Sequence, residues 1–63
     1  MPNFELKALI IRKFGSQVVF SRVVGLAEDR VSRFIHGRTA PTDKEKRNIA
    51  RKLGVSTDEI FPE

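Results

Sequence analysis

The chain predicts an all-α domain of five short helices. Three observations carry this. Apolar residues recur at helical spacing through most of the 63 residues. Glycines at 15, 25, 37 and 54 follow the apolar runs where helix ends call for a left-handed residue. Ser16, Thr42 and Ser56 precede three of the runs as good N-caps.

The first helix is expected over Phe4–Phe14. Leu6, Ile10 and Phe14 stand at i, i+4 and i+8 with Leu9 beside them, and Lys7, Arg12 and Lys13 fall off that stripe. Asn3 caps its start and Gly15 its end. The second runs Gln17–Val24 from the Ser16 cap, with Phe20, Val23 and Val24 as its apolar face. Its four valines also suit a strand, but the run does not alternate and Gly25 stops it. The third is expected from about Ala27 to His36. Val31, Phe34 and Ile35 define its buried stripe, and Glu28 and Asp29 occupy the first turn, where the helix dipole favours negative charge. Ala27 is a poor cap, and Gly37 closes the helix.

"RTAPT" reads as a loop, because Ala40 precedes a proline. Thr42 with Glu45 three residues on predicts a capping box for the fourth helix, with Ile49, Ala50 and Leu53 inward and Gly54 at its end. Ser56 with Glu59 repeats that pattern before a final short turn in which Ile60 and Phe61 cover the core. No repeat, linker or low-complexity segment divides the chain, so residues 1–63 are expected to form one domain.

Composition narrows the function. Without cysteine there is neither disulfide nor thiolate metal site, and the one histidine, His36, has no second imidazole to share a metal with. No cofactor or small-molecule ligand is expected. No carboxylate pair, nucleophile–base pair or glycine-rich phosphate loop stands out, so an enzyme is not expected; Ser21 lacks a base to activate it. No apolar run is long enough to span a membrane, and the start of the chain lacks the pattern of a signal peptide; a cytoplasmic location is expected. A surface-lying "FELKALIIRKF" helix is disfavoured, because such a helix needs no well-made tertiary partners.

Charge is distributed unevenly. The net value is +4, but Lys7 to Lys52 holds all twelve bases and only Glu28, Asp29, Asp43 and Glu45 as acids. Glu5, Asp58, Glu59 and Glu63 lie at the ends. A basic body points to an anionic partner met by the middle of the chain, against the plainer reading of a soluble basic surface.

"VVGLA" joins the second and third helices. Glycine at the corner, small Ser21 at the crossing and apolar Phe20, Val24, Leu26, Val31 and Phe34 around it form the pattern of a helix-turn-helix. Here the chain resembles the lambda-repressor-like Cro/repressor (XRE) family of DNA-binding domains, from about Phe4 to Phe61. The resemblance rests on Gln17, the Gly25–Leu26 turn, Val31, "HGRTAP" and the ending "LGVSTDEIF". Ser21 stands where alanine is usual, Ala27 where a capping Ser or Thr is common, His36 where Asn is common, and Glu28 and Asp29 where uncharged polar residues are frequent.

The resemblance implies a lambda-repressor-like fold whose third helix enters the major groove while the second crosses the backbone. Glu28, Asp29, Ser32 and Arg33, with Ala27 close by, then become the base-reading set. Arg33 would grip guanine O6 and N7, and the acids would accept from cytosine N4. Gln17 would hold a phosphate at the start of the second helix, His36, Arg38 and Thr39 would meet the backbone beyond the third, and Arg22 and Arg30 are further phosphate candidates. Two readings of Glu28 and Asp29 stay open: dipole-stabilising helix starters, or readers whose repulsion from phosphate makes binding selective or weak.

The leading expectation is a sequence-specific transcriptional regulator, a repressor bound as a homodimer to double-stranded DNA at a two-fold operator, with Val55, Ile60 and Phe61 as the guessed dimer face. The alternative is a helical protein-interaction module, antitoxin-like or an adaptor, motivated by the acids at 28 and 29 and by the exposed valines.

Overall fold

The computed structural model of the chain describes residues 2–62; Glu63, one of the terminal acids, lies outside them. Five helices follow in order: α1 (Phe4–Phe14), α2 (Gln17–Val24), α3 (Glu28–Ile35), α4 (Asp43–Leu53) and α5 (Thr57–Ile60). No strand forms among the described residues. The valine-rich second segment is a helix because its ends are built for one: Ser16 Oγ accepts from Val19 N–H, and Gly25 adopts φ +73°.

The ends of α2, α3 and α4 share one closure. Leu26, Arg38 and Val55 each donate a backbone N–H to the carbonyl five residues back, at 3.0 Å in every case. The residue before each donor is a glycine at φ +73°, the geometry of a Schellman end. α1 closes more simply, with Gly15 N–H on the Ile11 carbonyl. Thr42 and Glu45 form the reciprocal capping box expected at α4, and Glu59 reaches back to the Ser56 N–H at α5.

The core gathers a few residues from each helix. Leu6 and Ile10, Phe20 and Val24, Val31, Phe34 and Ile35, Ile49, Ala50 and Leu53, and Ile60 are buried together, with Leu9, Phe14, Leu26, Val55 and Phe61 packed around them. Phe20 sits at the centre, fully buried, its ring centroid 5.1 Å from that of Phe14 at 58°, a tilted pair of the favourable kind. Ser21 is buried as the small residue of α2, its hydroxyl turned back to donate to the Val18 carbonyl at 2.7 Å.

Two asparagines tie separate elements. Asn3 caps α1, donates its backbone N–H to the Ile35 carbonyl, and places Nδ2 2.5 Å from the Ile60 carbonyl. Asn48 on α4 donates from Nδ2 to the Val24 carbonyl at 3.2 Å. Polar groups at helix ends that packing would desolvate are thereby satisfied.

Three expectations need correction. Val23 is not on the buried face of α2; it is 42% exposed. Phe20 and Val24, four residues apart, set that face, and Val23 lies about 100° round from Val24. The third helix is shorter than Ala27–His36: both residues flank it as caps, and Ala27 makes no side-chain cap bond. Ile60 is fully buried within the chain, so it offers nothing to a second copy, and Val55 and Phe61 are partly covered by the same core.

Candidate nucleic-acid interface

α3 is eight residues long, and its sequence divides cleanly by face. Val31, Phe34 and Ile35 point into the core. Glu28, Asp29 and Arg33 are exposed, and Ser32 is partly so. The corner sets this orientation. Positive φ at Gly25 and the Leu26 N–H on Ser21 O end α2 and turn the chain into α3 within three residues, and partly buried Leu26 pins it. The helix therefore shows the globule its apolar side and solvent the side carrying Glu28, Asp29, Ser32 and Arg33.

The structure brings two of these together. Arg33 Nη2 lies 3.0 Å from Asp29 Oδ2, one helical turn apart, with both side chains more than half exposed. An exposed pair of this kind contributes little to stability. Its effect is on position: the guanidinium is held on the outward face while its remaining N–H groups stay available. Glu28 stands beside it in the first turn, where the uncapped amides that Ala27 leaves unserved favour a carboxylate.

Arg30 sits differently from Arg33. Its Nε and Nη2 donate to Glu45 Oε2 and Oε1 at 2.7 and 2.9 Å, and its guanidinium carbon lies 5.1 Å over the Phe34 ring. The sequence offered Arg30 to a phosphate; the structure engages two of its donors with α4. Glu45 gathers three bonds, since its Oε1 also accepts from the Thr42 N–H at 2.8 Å. The Arg30 hydrogen bonds, and then the Thr42 amide, hold the Glu45 carboxyl at about 2, against an ordinary 4.5. The same hydrogen bonds raise the Arg30 guanidinium above its ordinary value.

The remaining phosphate candidates flank α3. Gln17 is the first residue of α2 and half-buried; Arg22 is exposed in that helix's last turn. His36 and Arg38 are exposed beyond α3 and Thr39 is half-buried. The Schellman bond from Arg38 N–H to the Arg33 carbonyl fixes the backbone of this segment. Ala27, at the α3 N-cap, is exposed.

Glu45 and Asn48 are the residues that sequence reasoning missed. The Thr42–Glu45 spacing revealed the cap, but no local signal marked the bond to a residue fifteen positions earlier. Among the described residues no cluster of three or more His, Asp or Glu side chains converges to hold a metal ion, and no helix is long and apolar enough to cross a membrane. No family model, curated protein or solved structure matches this chain.

Proposed function

We propose that the chain is a sequence-specific DNA-binding regulator of the helix-turn-helix kind, with a lambda-repressor-like arrangement of its five helices, acting as a repressor on a two-fold operator. The observation that carries this reading is the outward face of α3. A fixed corner presents Glu28, Asp29, Ser32 and Arg33 as one contiguous set, on a short helix of the width a major groove admits. Basic residues on either side, Arg22 before the corner and Arg38 after α3, supply the phosphate contacts that set register.

In this reading Arg33 reads guanine and Asp29, its neighbour by one turn, accepts from an adjacent cytosine N4. Gln17, His36, Arg38 and Thr39 bind the backbone. Arg30 acts as a positioning residue: the Glu45 pair anchors α3 to α4, so the reading face docks as a rigid unit. Size permits a dimer on DNA. The longest dimension across the Cα atoms is 27 Å, comparable with a half-site spacing of about 34 Å.

The test is a titration against pooled random duplexes and a selected duplex at low and moderate salt. Specific regulation requires preference for one sequence together with affinity that falls steeply as salt rises. Equal affinity for every duplex ends the claim of specificity. Exposed Val18, Val19 and Val23 on α2 favour the second reading, a protein-interaction module, whose apolar contact would barely respond to salt.

A further inference from the structure

An open groove of about 710 Å³ runs between the corner after α2 and one side of α4. Partly buried Leu26, with the edge of buried Val24, gives it an apolar wall, and Lys44, Arg47 and Arg51 give it three cations. Their spacing, i, i+3 and i+7, puts all three on one side of the helix. Among the described residues Glu45 is the only acid lining the groove, and its charge is already matched by Arg30. Asn48 joins the two walls: Nδ2 donates to the Val24 carbonyl, while Oδ1 accepts from Arg51 Nη2 at 3.2 Å. None of Glu28, Asp29, Ser32 or Arg33 lines it.

From this we infer that the groove docks an acidic amphipathic segment of a partner protein, a helix with an apolar anchor flanked by carboxylates. Charge complementarity selects the occupant. Three cations with one already neutralised acid call for negative charge, and the Val24–Leu26 wall calls for an apolar side chain beside it, the combination a helix-in-groove contact supplies. A DNA backbone would meet the cations and leave the apolar wall unused. The site stands apart from the α3 face, so it does not depend on DNA being the partner there. It does share Leu26 with the corner and Glu45 with the anchor of α3. An occupant therefore touches both of the features that orient α3.

The probe is a fluorescein-labelled peptide of about 14 residues, with leucines at helical spacing on one face and glutamates on the other. It is titrated into the full chain at physiological salt, alongside a polyglutamate of equal charge and a short duplex DNA. Expected are binding roughly tenfold tighter than polyglutamate, and amide shifts that are largest at Val24, Leu26 and Asn48 and smaller at Ser32 and Arg33. The exposed pair Arg47→Glu with Arg51→Glu lowers peptide affinity at least about tenfold, whereas Lys7→Glu with Arg12→Glu, the same charge change on α1, leaves it nearly unchanged. Circular dichroism checks that both variants fold, and the shift map of the unaltered chain tests the site independently of them. The proposal is overturned by failure of the peptide to bind, by polyglutamate binding equally well, by equal losses in both variants, by shifts centred on α3, or by the duplex shifting Asn48 and Arg51 on α4 in the peptide's place.

Discussion

Arg30 on α3 and Glu45 on α4 meet through two hydrogen bonds, 2.7 and 2.9 Å long. The carboxylate also closes the capping box at the start of α4. One side chain thus fixes a helix start and the placement of the neighbouring helix. Its carboxyl is held at about 2 in the folded chain, below its unfolded value, so the bond stabilises the fold fully above about pH 4.5 and is lost as pH falls towards 2. Glu45→Gln keeps the size and removes the charge. Urea midpoints of the two proteins are expected to differ most above pH 4.5 and to converge as pH approaches 2. A difference that is the same at every pH would show that the ion pair does not contribute.

Thr42→Ala removes the cap acceptor for the Glu45 N–H and leaves the Arg30–Glu45 bonds in place, and is expected to cost about 1 kcal/mol. Glu45→Ala loses the reach-back bond to Thr42 and the Arg30 pair together, and is expected to cost more. Urea unfolding of both variants decides the order; a larger loss for Thr42→Ala would remove Glu45 as the link between α3 and α4.

Gly25 is at φ +73°, and an added Cβ there would meet nothing within 4 Å. The cost of Gly25→Ala is therefore a backbone cost alone, about 1–2 kcal/mol, and Gly25→Asn is expected to cost less because Asn tolerates the left-handed region. Equal stability of all three proteins by urea denaturation would mean that the corner does not hold this conformation.

Phe20 and Val23 are three residues apart on α2 and are predicted to respond very differently in size. Phe20 is fully buried, and Phe20→Ala is expected to cost about 3–5 kcal/mol. A domain of 63 residues has only roughly 3–9 kcal/mol in total, so that variant should lose a large part of its stability, read by circular dichroism as a much lower urea midpoint. Val23 is 42% exposed, and Val23→Thr should change stability by less than about 0.5 kcal/mol.

Val23 also marks where the sequence stops being readable. Helix positions follow from caps and glycines that act within one turn, so Asn3, Ser16, Thr42, Gly25 and Gly54 place the ends of helices without knowledge of the fold. The inward stripes of α3 and α4 are legible because their apolar residues fall on one side; α1 shows its stripe through Leu6, Ile10 and Phe14, although Phe4 and Ile11 lie exposed outside it. α2 is apolar nearly all round, with Val18, Val19, Val23 and Val24, so its periodicity does not say which side is covered; packing against α1, α3 and α4 does. Bonds between distant positions are invisible for the same reason. Arg30 reads as one more surface base until α4 brings Glu45 to it, and Asn3 reads as a cap until α5 brings the Ile60 carbonyl. In α3 the division into Val31, Phe34 and Ile35 against Glu28, Asp29 and Arg33 was readable because charge and hydropathy alternate at the helical period.

Asp29 and Arg33 lie 3.0 Å apart on the exposed face of α3, and every part of the proposed function runs through that face. The most direct measurement is a selection of bound duplexes from a random pool, run in parallel with the unaltered chain and Arg33→Ala. The account predicts enrichment of a defined half-site by the first, and by the second the same half-site with preference relaxed at one guanine position, at a cost of ~1–3 kcal/mol. No enrichment by the unaltered chain, or a uniform loss across all sequences with Arg33→Ala, would contradict it.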